Sequence, residues 1–416
     1  MVNSIDLNQL KKYYDQANEA VNQWWLSYQP IYESNHAKMI KAFQEFKVTQ
    51  ECFSGSTGYG YSDYGRDLLD NIFAHVFEAE DALVRTQLVS GTHTLAVCLF
   101  GLLRPSERLV SFCGTPYDTL LEVIGLTGNQ KGSLMEFGIH YSELPENLPL
   151  QEKVEQLPKD TKVVLIQRSR GYAWRASYSI NQIQDMCRAI RLKRPDVTIM
   201  VDNCYGEFTE EREPLAAGAD IIAGSLIKNP GGGLAPIGGY IAGRKDLIQD
   251  VSYRLTSPGI GREVGAVDGS TNRMLYQGFY LAPHTVGEAL KSAVYTASIF
   301  SQLGYDVSPG LQDVRSGIVQ AVRFNKEDEL IDFCQAIQKN SPIDSHVVPL
   351  PWDMPGYDDA VIMAAGTFIS GATSELSADA PIRTPYTLYV QGGLSFEYSR
   401  LAINEAVRMI VSNRNS

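Results

Sequence analysis

The sequence predicts an α/β fold, with a mainly parallel β-sheet covered by helices on both faces and a smaller C-terminal α+β domain. Three observations predict it. From Ala82 onward, short apolar runs of β type alternate with segments of helical periodicity. Those runs are apolar at consecutive positions rather than alternate ones, as strands buried on both faces require. Near Val286 the alternation stops, and strand-like and helical pieces follow without a βαβ rhythm.

Residues 1–50 are polar and helical in pattern, with Trp24, Trp25, Leu26 and Tyr28 as an apolar cluster, so an N-terminal helical arm is expected. A loop rich in Gly, Ser and Tyr, FSGSTGYGYSDYGRD, then leads into DLLDNIFAHVFEAE, which is apolar at helical spacing. The strands expected next are ALVRTQLV, RLVSFC, KVVLIQ, VTIMVD, ADIIAGSLI and IGGYIAG. Between them lie helical segments such as THTLAVCLFGLL, DTLLEVIG and NQIQDMCRAIRLK. A long, partly helical connection spans roughly Arg262 to Ala297, and the smaller domain follows with GIVQAVRF, EDELIDFCQAI, AVIMAAGTF, YTLYVQGGLSF and a last helix from about Glu397. The 416 residues, 44% of them hydrophobic, exceed what one core comfortably serves. The expected division is residues 1–50 as the arm, 51–285 as the large domain and 286–416 as the small one.

A formal charge of −12 argues against nucleic acid or an anionic membrane as partner, since either favours a basic face. No apolar run reaches the length of a membrane span, and MVNSIDLNQLKKYYDQ lacks the basic start and apolar core of a secretory signal, so a cytoplasmic location is expected. The six cysteines are scattered with no CxxC, and no metal site or disulfide framework is expected. Most of them are read as small core residues.

In covered parallel sheets, ligands sit beyond the C-terminal ends of the strands, which directs attention to strand-end residues. TQLVSGTHT reads as strand, Ser-Gly turn and helix, so the free N–H groups from Gly91 to Thr94 would face the crevice and suit an anion, most naturally a phosphate. Ser-Gly-Thr is also a common helix start. VTIMVDN ends five apolar residues on Asp202, which either caps a turn or stays ionised beside a buried cation such as a protonated pyridine nitrogen. In DIIAGSLIKNPGGG an apolar strand is stopped by Ser225, then Lys228, then a proline and three glycines. A lysine there either snorkels its charge to water or, in a dry pocket with a lowered pKa, acts as a nucleophile toward a carbonyl. Tyr117 begins a helix after a strand and can lay its ring over a flat cofactor, or simply be a half-buried tyrosine. Taken in chain order, phosphate site, stacking ring, aspartate and lysine form the pattern of a pyridoxal 5′-phosphate (PLP) enzyme.

The segment VDNCYGEFTE…EPLAAGADIIAGSLIKNPGGGLAPIGGYIAG resembles the fold-type-I PLP enzymes of the cystathionine synthase and lyase group. STGYGYSDYGRD, TQLVSGTHT, SLIKNPGGG, TNRMLYQGFYLAPHTVGEALK and YVQGGLSFEYSR resemble the methionine gamma-lyase-like proteins often labelled aluminium-resistance proteins. The resemblance runs from about Thr57 to Arg400. It implies the PLP-dependent transferase (aspartate aminotransferase-like) fold, with a seven-stranded sheet in the large domain. It implies further that Lys228 forms the Schiff base with the cofactor, Asp202 pairs with the ring nitrogen, Tyr117 stacks on the ring, and Gly91, Thr92 and Ser225 hold the phosphate. In the wider family a tyrosine and an arginine of the glycine-rich loop reach the neighbouring subunit's phosphate. Tyr61 fits the tyrosine, whereas the arginine position reads Asp63, with Arg66 three residues later. The arginine that would bind the substrate carboxylate falls near Gln391, where none stands, leaving Arg383 or Arg400 for that role.

The implied activity is carbon-sulfur lysis of cystathionine, cysteine or methionine by Cα proton abstraction and β- or γ-elimination. The implied assembly is a homo-oligomer, dimer or tetramer, with shared sites. An aminotransferase or racemase of the same fold shares the proton abstraction and differs in the fate of the carbanion. A PLP-fold binding protein without turnover is opposed by the presence of both Asp202 and Lys228. A dinucleotide site at GYGYSDYG fails because those glycines do not directly follow a strand.

Overall fold

The structure is a computed structural model that describes residues 7–354, 357 and 359–415. Its larger sheet consists of β1 (Asp81–Arg85), β2 (Arg108–Ser111), β3 (His140–Glu143), β4 (Thr161–Gln167), β5 (Thr198–Asp202), β6 (Ile221–Ser225) and β7 (Gly239–Gly243), in the order β1-β7-β6-β5-β4-β2-β3. The pairings from β3 to β6 are parallel, and β7 runs antiparallel to both β6 and β1. Successive residues of one strand serve opposite cores. Val164, Ile166, Ile199 and Val201 pack on one face of the sheet, while Val163, Leu165 and Met200 pack on the other. This two-sided burial is why the strands read as continuous apolar runs. Six of the seven strands coincide with such runs. β3 does not, because it is the edge strand HYSE, only partly buried, with no apolar face to betray it.

The second sheet is antiparallel throughout, with β8 (Asp306–Ser308), β9 (Gln320–Arg323), β10 (Val361–Ala364), β11 (Ser377–Pro381) and β12 (Thr387–Gln391) in the order β10-β11-β12-β9-β8. Helices Glu327–Lys339 and Phe396–Asn415 pack with each other and share its apolar core. Helix Gly269–Gln302 runs unbroken through Val286, so the expected domain boundary falls inside one helix. Its residues from Leu275 to Leu290 belong to the large core, and those from Val294 to Phe300 to the small one. The N-terminal helix Leu7–Glu45 lies along it and repeats the division: Tyr28, Met39 and Ala42 enter the large core, while Leu10, Ala17 and Val21 enter the small one. Among the described residues no helix is long and apolar enough to cross a membrane.

After β6 the chain makes one turn of 3-10 helix, Asn229–Gly231, and leaves through Gly232 and Gly233 at φ +54° and +75°, conformations that favour glycine. This turn presses its backbone on the long helix. A Cβ on Gly232 would overlap the carbonyl oxygen of Gly278, and one on Gly278 would overlap that of Gly231. In an open helix interior Gly→Ala gains about 1 kcal/mol. Here the sign should reverse: Gly278→Ala is expected to destabilise by about 2 kcal/mol, seen as a lower thermal midpoint by circular dichroism. An unchanged or higher midpoint would show that the two backbones are not in contact.

Candidate active site

The strand ends of the large sheet and one edge of the small domain enclose a cavity that contains Lys228. Water-sized guests find about 70 Å³ inside it, and the space not filled by atoms is about 650 Å³ with its mouth included. A larger cavity, about 900 Å³, opens between the N-terminal helix and residues 311–315. The smaller one gathers the reactive groups.

Lys228 stands three residues past the end of β6, half-buried, and its accessible part opens on the cavity. Its Nζ lies 3.9 Å from the centroid of the Tyr205 ring, a cation-π distance. Burial acts to lower its pKa, but Tyr205, Cys204 and Asp202 outweigh this and the net shift is upward. The lowered pKa expected from the sequence is therefore not found. In the protein by itself Lys228 is an ammonium, because the pocket that dries it also surrounds it with anionic and π-electron partners. Tyr205, three residues after Asp202, sits at φ +71°, a sparsely populated region for a non-glycine residue. That conformation turns its ring under the lysine.

Asp202 ends β5, pairs in register with Gln167 of β4 and is buried. Its Oδ1 accepts the Cys204 N–H at 3.1 Å. Burial pushes its carboxyl up, while Lys228 and the Cys204 N–H pull it back down. The turn reading holds, and the same aspartate shares the cavity with Lys228.

The anion end is built by helix Gly91–Leu102, capped by Ser90, whose side chain accepts the His93 N–H. The Thr94 N–H goes to the Ser90 carbonyl, and the amides of Gly91 and Thr92 precede the first intrahelical bond. Gly91 abuts Ser225, where a Cβ would stand 3.4 Å from the serine Cβ. Ser225 Oγ is buried and has no hydrogen-bond partner within the chain, a condition that costs free energy unless a guest supplies one. An orphaned hydroxyl beside two free amides at a helix N-terminus fits a phosphate. Thr92 Oγ1 also meets Thr119 Oγ1 at 2.8 Å, adding a residue that sequence reasoning missed.

Tyr117 caps the helix Asp118–Ile124 and is held by its own N–H, which donates to Gln167 Oε1 at 2.7 Å. Its hydroxyl meets that of Tyr357 at 2.5 Å. Burial, then Tyr205 and Tyr357, push its phenol well above the usual range, so it stays protonated at neutral pH. On the small-domain side the cavity is lined by Val319, Asp379, Tyr389 and Gln391. Cys204, expected as a core residue, is buried but lines the cavity as well.

Lys228, Asp202, Tyr117, Gly91 and Thr92 are thus brought together, with Ser225 packed behind the anion end. Tyr61, Arg66, Arg383 and Arg400 are not brought to the cavity within the chain. Tyr61 is 59% exposed and pairs with Tyr59 at 5.5 Å between ring centroids. Arg66 is buried and committed elsewhere. Its Nη1 donates to the carbonyls of Gly60 and Gly265 and its Nε to Asp67, so it fastens the glycine-rich loop to residues 263–265. Arg383 pairs with Asp359 at 2.7 Å at the surface, and Arg400 donates to Asn18 of the N-terminal helix at 3.1 Å. Tyr205 and Asp379 carried no signal in the sequence, because they meet Lys228 only through tertiary contact.

A seven-stranded sheet with one antiparallel member, an anion cradle at its first covering helix, an aspartate ending β5 and a lysine just past β6 define the fold-type-I, aspartate aminotransferase-like class. The methionine gamma-lyase family model matches residues 10–411, and the chain belongs to that family. The uncharacterized protein YnbB of Bacillus subtilis (strain 168) is 49% identical over 391 residues, 92% of either chain. The crystal structure of a candidate cystathionine beta-lyase involved in aluminum resistance from Listeria monocytogenes is 47% identical, covers 96% of this chain and 100% of that one, and has a TM-score of 0.93. The pyridoxal-5′-phosphate dependent protein YhfS from Escherichia coli is 15% identical over 91% of this chain and 96% of that one, and its TM-score of 0.59 marks a shared fold.

Behind Lys228, a buried polar network supports β6. Asn229 donates to the Glu207 carbonyl at 3.0 Å, and the Tyr240 hydroxyl donates to Glu207 Oε1 at 2.8 Å, while Oε2 has no partner. Burial pushes the Glu207 carboxyl up to about 8. The folded state therefore holds a proton that the unfolded chain releases near pH 4.5, and this group's contribution to stability falls as pH rises from there to about 8. Glu207→Gln keeps an acceptor for Tyr240 and removes the titration. Its stability, followed through the thermal midpoint, should match the parent's below pH 4.5 and exceed it at pH 8.5, by a few kcal/mol at most. Parallel midpoint curves across that range would refute the buried-acid assignment.

Proposed function

We propose that this protein is a PLP-dependent carbon-sulfur lyase that acts on a sulfur-containing amino acid, cystathionine, cysteine or methionine, by Cα proton abstraction and β- or γ-elimination. The observation that carries this reading is that one cavity gathers Lys228, Asp202 and the N-terminus of helix Gly91–Leu102, with the unpartnered Ser225 hydroxyl packed behind that helix start. When bound, PLP supplies an electrophilic aldehyde and a ring that accepts electrons from Cα. The amides of Gly91 and Thr92 and the Ser225 hydroxyl would hold its phosphate, Tyr117 would support its ring, and the Asp202 carboxylate would keep its ring nitrogen protonated.

The Lys228 amine takes the covalent role, then serves as general base for the Cα proton of a substrate held within its reach. Its raised pKa means that it must surrender a proton before it acts as nucleophile or base. Tyr117, kept protonated by burial, carries a proton to the departing sulfur. The carbon-sulfur bond breaks, the sulfur leaves as a thiol, and addition of water to the remaining fragment gives an oxo acid and ammonia. The exposed Tyr59, Tyr61 and Tyr64 support a second proposal, that the glycine-rich loop is covered by another copy of this chain in a dimer or tetramer.

Purified protein supplied with PLP should gain a visible absorbance band, which Lys228→Ala should abolish while lowering thiol release by about 10²- to 10⁴-fold. A protein that stays colourless, or one that consumes an oxo-acid acceptor without releasing thiol, would sink the lyase reading. Sedimentation velocity should give a dimer or tetramer; a monomer at micromolar concentration would rule out the assembly.

A further inference from the structure

The substrate end of the cavity carries an acid where a carboxylate-binding cation would be needed. Asp379 lies on β11 opposite Tyr389 of β12, and its Oδ2 accepts the Gln391 Nε2–H at 2.9 Å. Gln391 Nε2 also donates to Ser377 Oγ at 3.3 Å, so the amide is fixed with its donor face toward the acid. Asp379 is half-buried, and its accessible part looks into the cavity that Lys228 shares. Burial raises its carboxyl to about 6, opposed by Gln391 and Lys228, which leaves it ionised at neutral pH.

Among the described residues lining the cavity, Lys228 is the one cation and there is no arginine. Around Asp379 stand tyrosine rings. Tyr172 and Tyr389 lie 5.1 Å apart between centroids, and Tyr117 meets Tyr172 at 5.7 Å. A carboxylate beside tyrosine faces binds an ammonium group. A carboxylate guest placed there meets like charge and no guanidinium.

We propose that Asp379, oriented by Gln391, determines specificity by receiving a second ammonium group on the substrate, so that the preferred substrate is a thioether amino acid with an amine on its far arm. This rests on the lyase reading for the reaction but concerns only what the small-domain end of the cavity accepts. Three compounds separate the possibilities: L-cystathionine, S-(3-carboxypropyl)-L-cysteine, which lacks only the distal amine, and S-(3-aminopropyl)-L-cysteine, which lacks only the distal carboxylate.

With PLP-loaded protein, binding is read as the change in cofactor absorbance on titration and turnover as thiol release. Cystathionine and the aminopropyl compound should each bind and react at least about tenfold better than the carboxypropyl compound. Asp379→Asn should erase that difference by weakening the two amine-bearing compounds, with the carboxypropyl compound unchanged to within about twofold and the cofactor band retained. Should that variant fail to fold, the comparison of the three compounds on the parent protein still decides. Equal or better binding of the carboxypropyl compound would overturn the proposal while leaving the lyase reading intact. The expected binding order without thiol release would uphold this proposal and remove the lyase reading.

Discussion

The contact on which this molecule depends is a backbone-to-backbone approach between the turn at Gly231 and Gly232 and the long helix at Gly278. No side chain fits between them, so the loop that presents Lys228 is fixed against a helix that both cores share. The next glycine extends the constraint, since a Cβ on Gly233 would collide with Leu394, just beyond β12. The lysine is thereby positioned relative to both the large sheet and the small-domain wall. Three consecutive glycines after the lysine are a packing requirement before they are a chemical one.

The cavity is electrostatically uneven in a way that suits its proposed work. Phenols that burial keeps protonated surround one ammonium and two carboxyl groups of different character. Asp202 is held by a backbone N–H, whereas Asp379 is held by an amide side chain; in the proposed reaction the first would serve the ring end and the second the substrate end. Tyr205 joins the two from beneath the lysine, at the cost of a backbone conformation worth about 1–3 kcal/mol of strain. Two acids separated by a cation tend to take different roles, because each environment sets its own proton affinity.

Much of this was legible before any coordinates. Continuous apolar runs marked six strands, and their ends located Gly91, Thr92, Asp202, Ser225 and Lys228, since strand direction in a parallel sheet decides where ligands can lie. What stayed hidden has physical reasons. β3 is a polar edge, and β11, SADAP, consists of residues that favour no strand yet carries Asp379. Arg66, Arg383 and Arg400 have the right chemistry, but one sequence does not reveal that Gly60, Asp359 and Asn18 already occupy them. The αL backbone of Tyr205 follows from neither composition nor periodicity.

Helix Gly269–Gln302 and its companion Leu7–Glu45 each contribute to two cores, and this has an evolutionary consequence. A smaller domain joined by a flexible linker could be exchanged between relatives as a module. Here any replacement would have to bring half of two helices with it, each in register with a core it does not own. A point change at Asp379, Tyr389 or Gln391, by contrast, alters the cavity wall while leaving both helices whole.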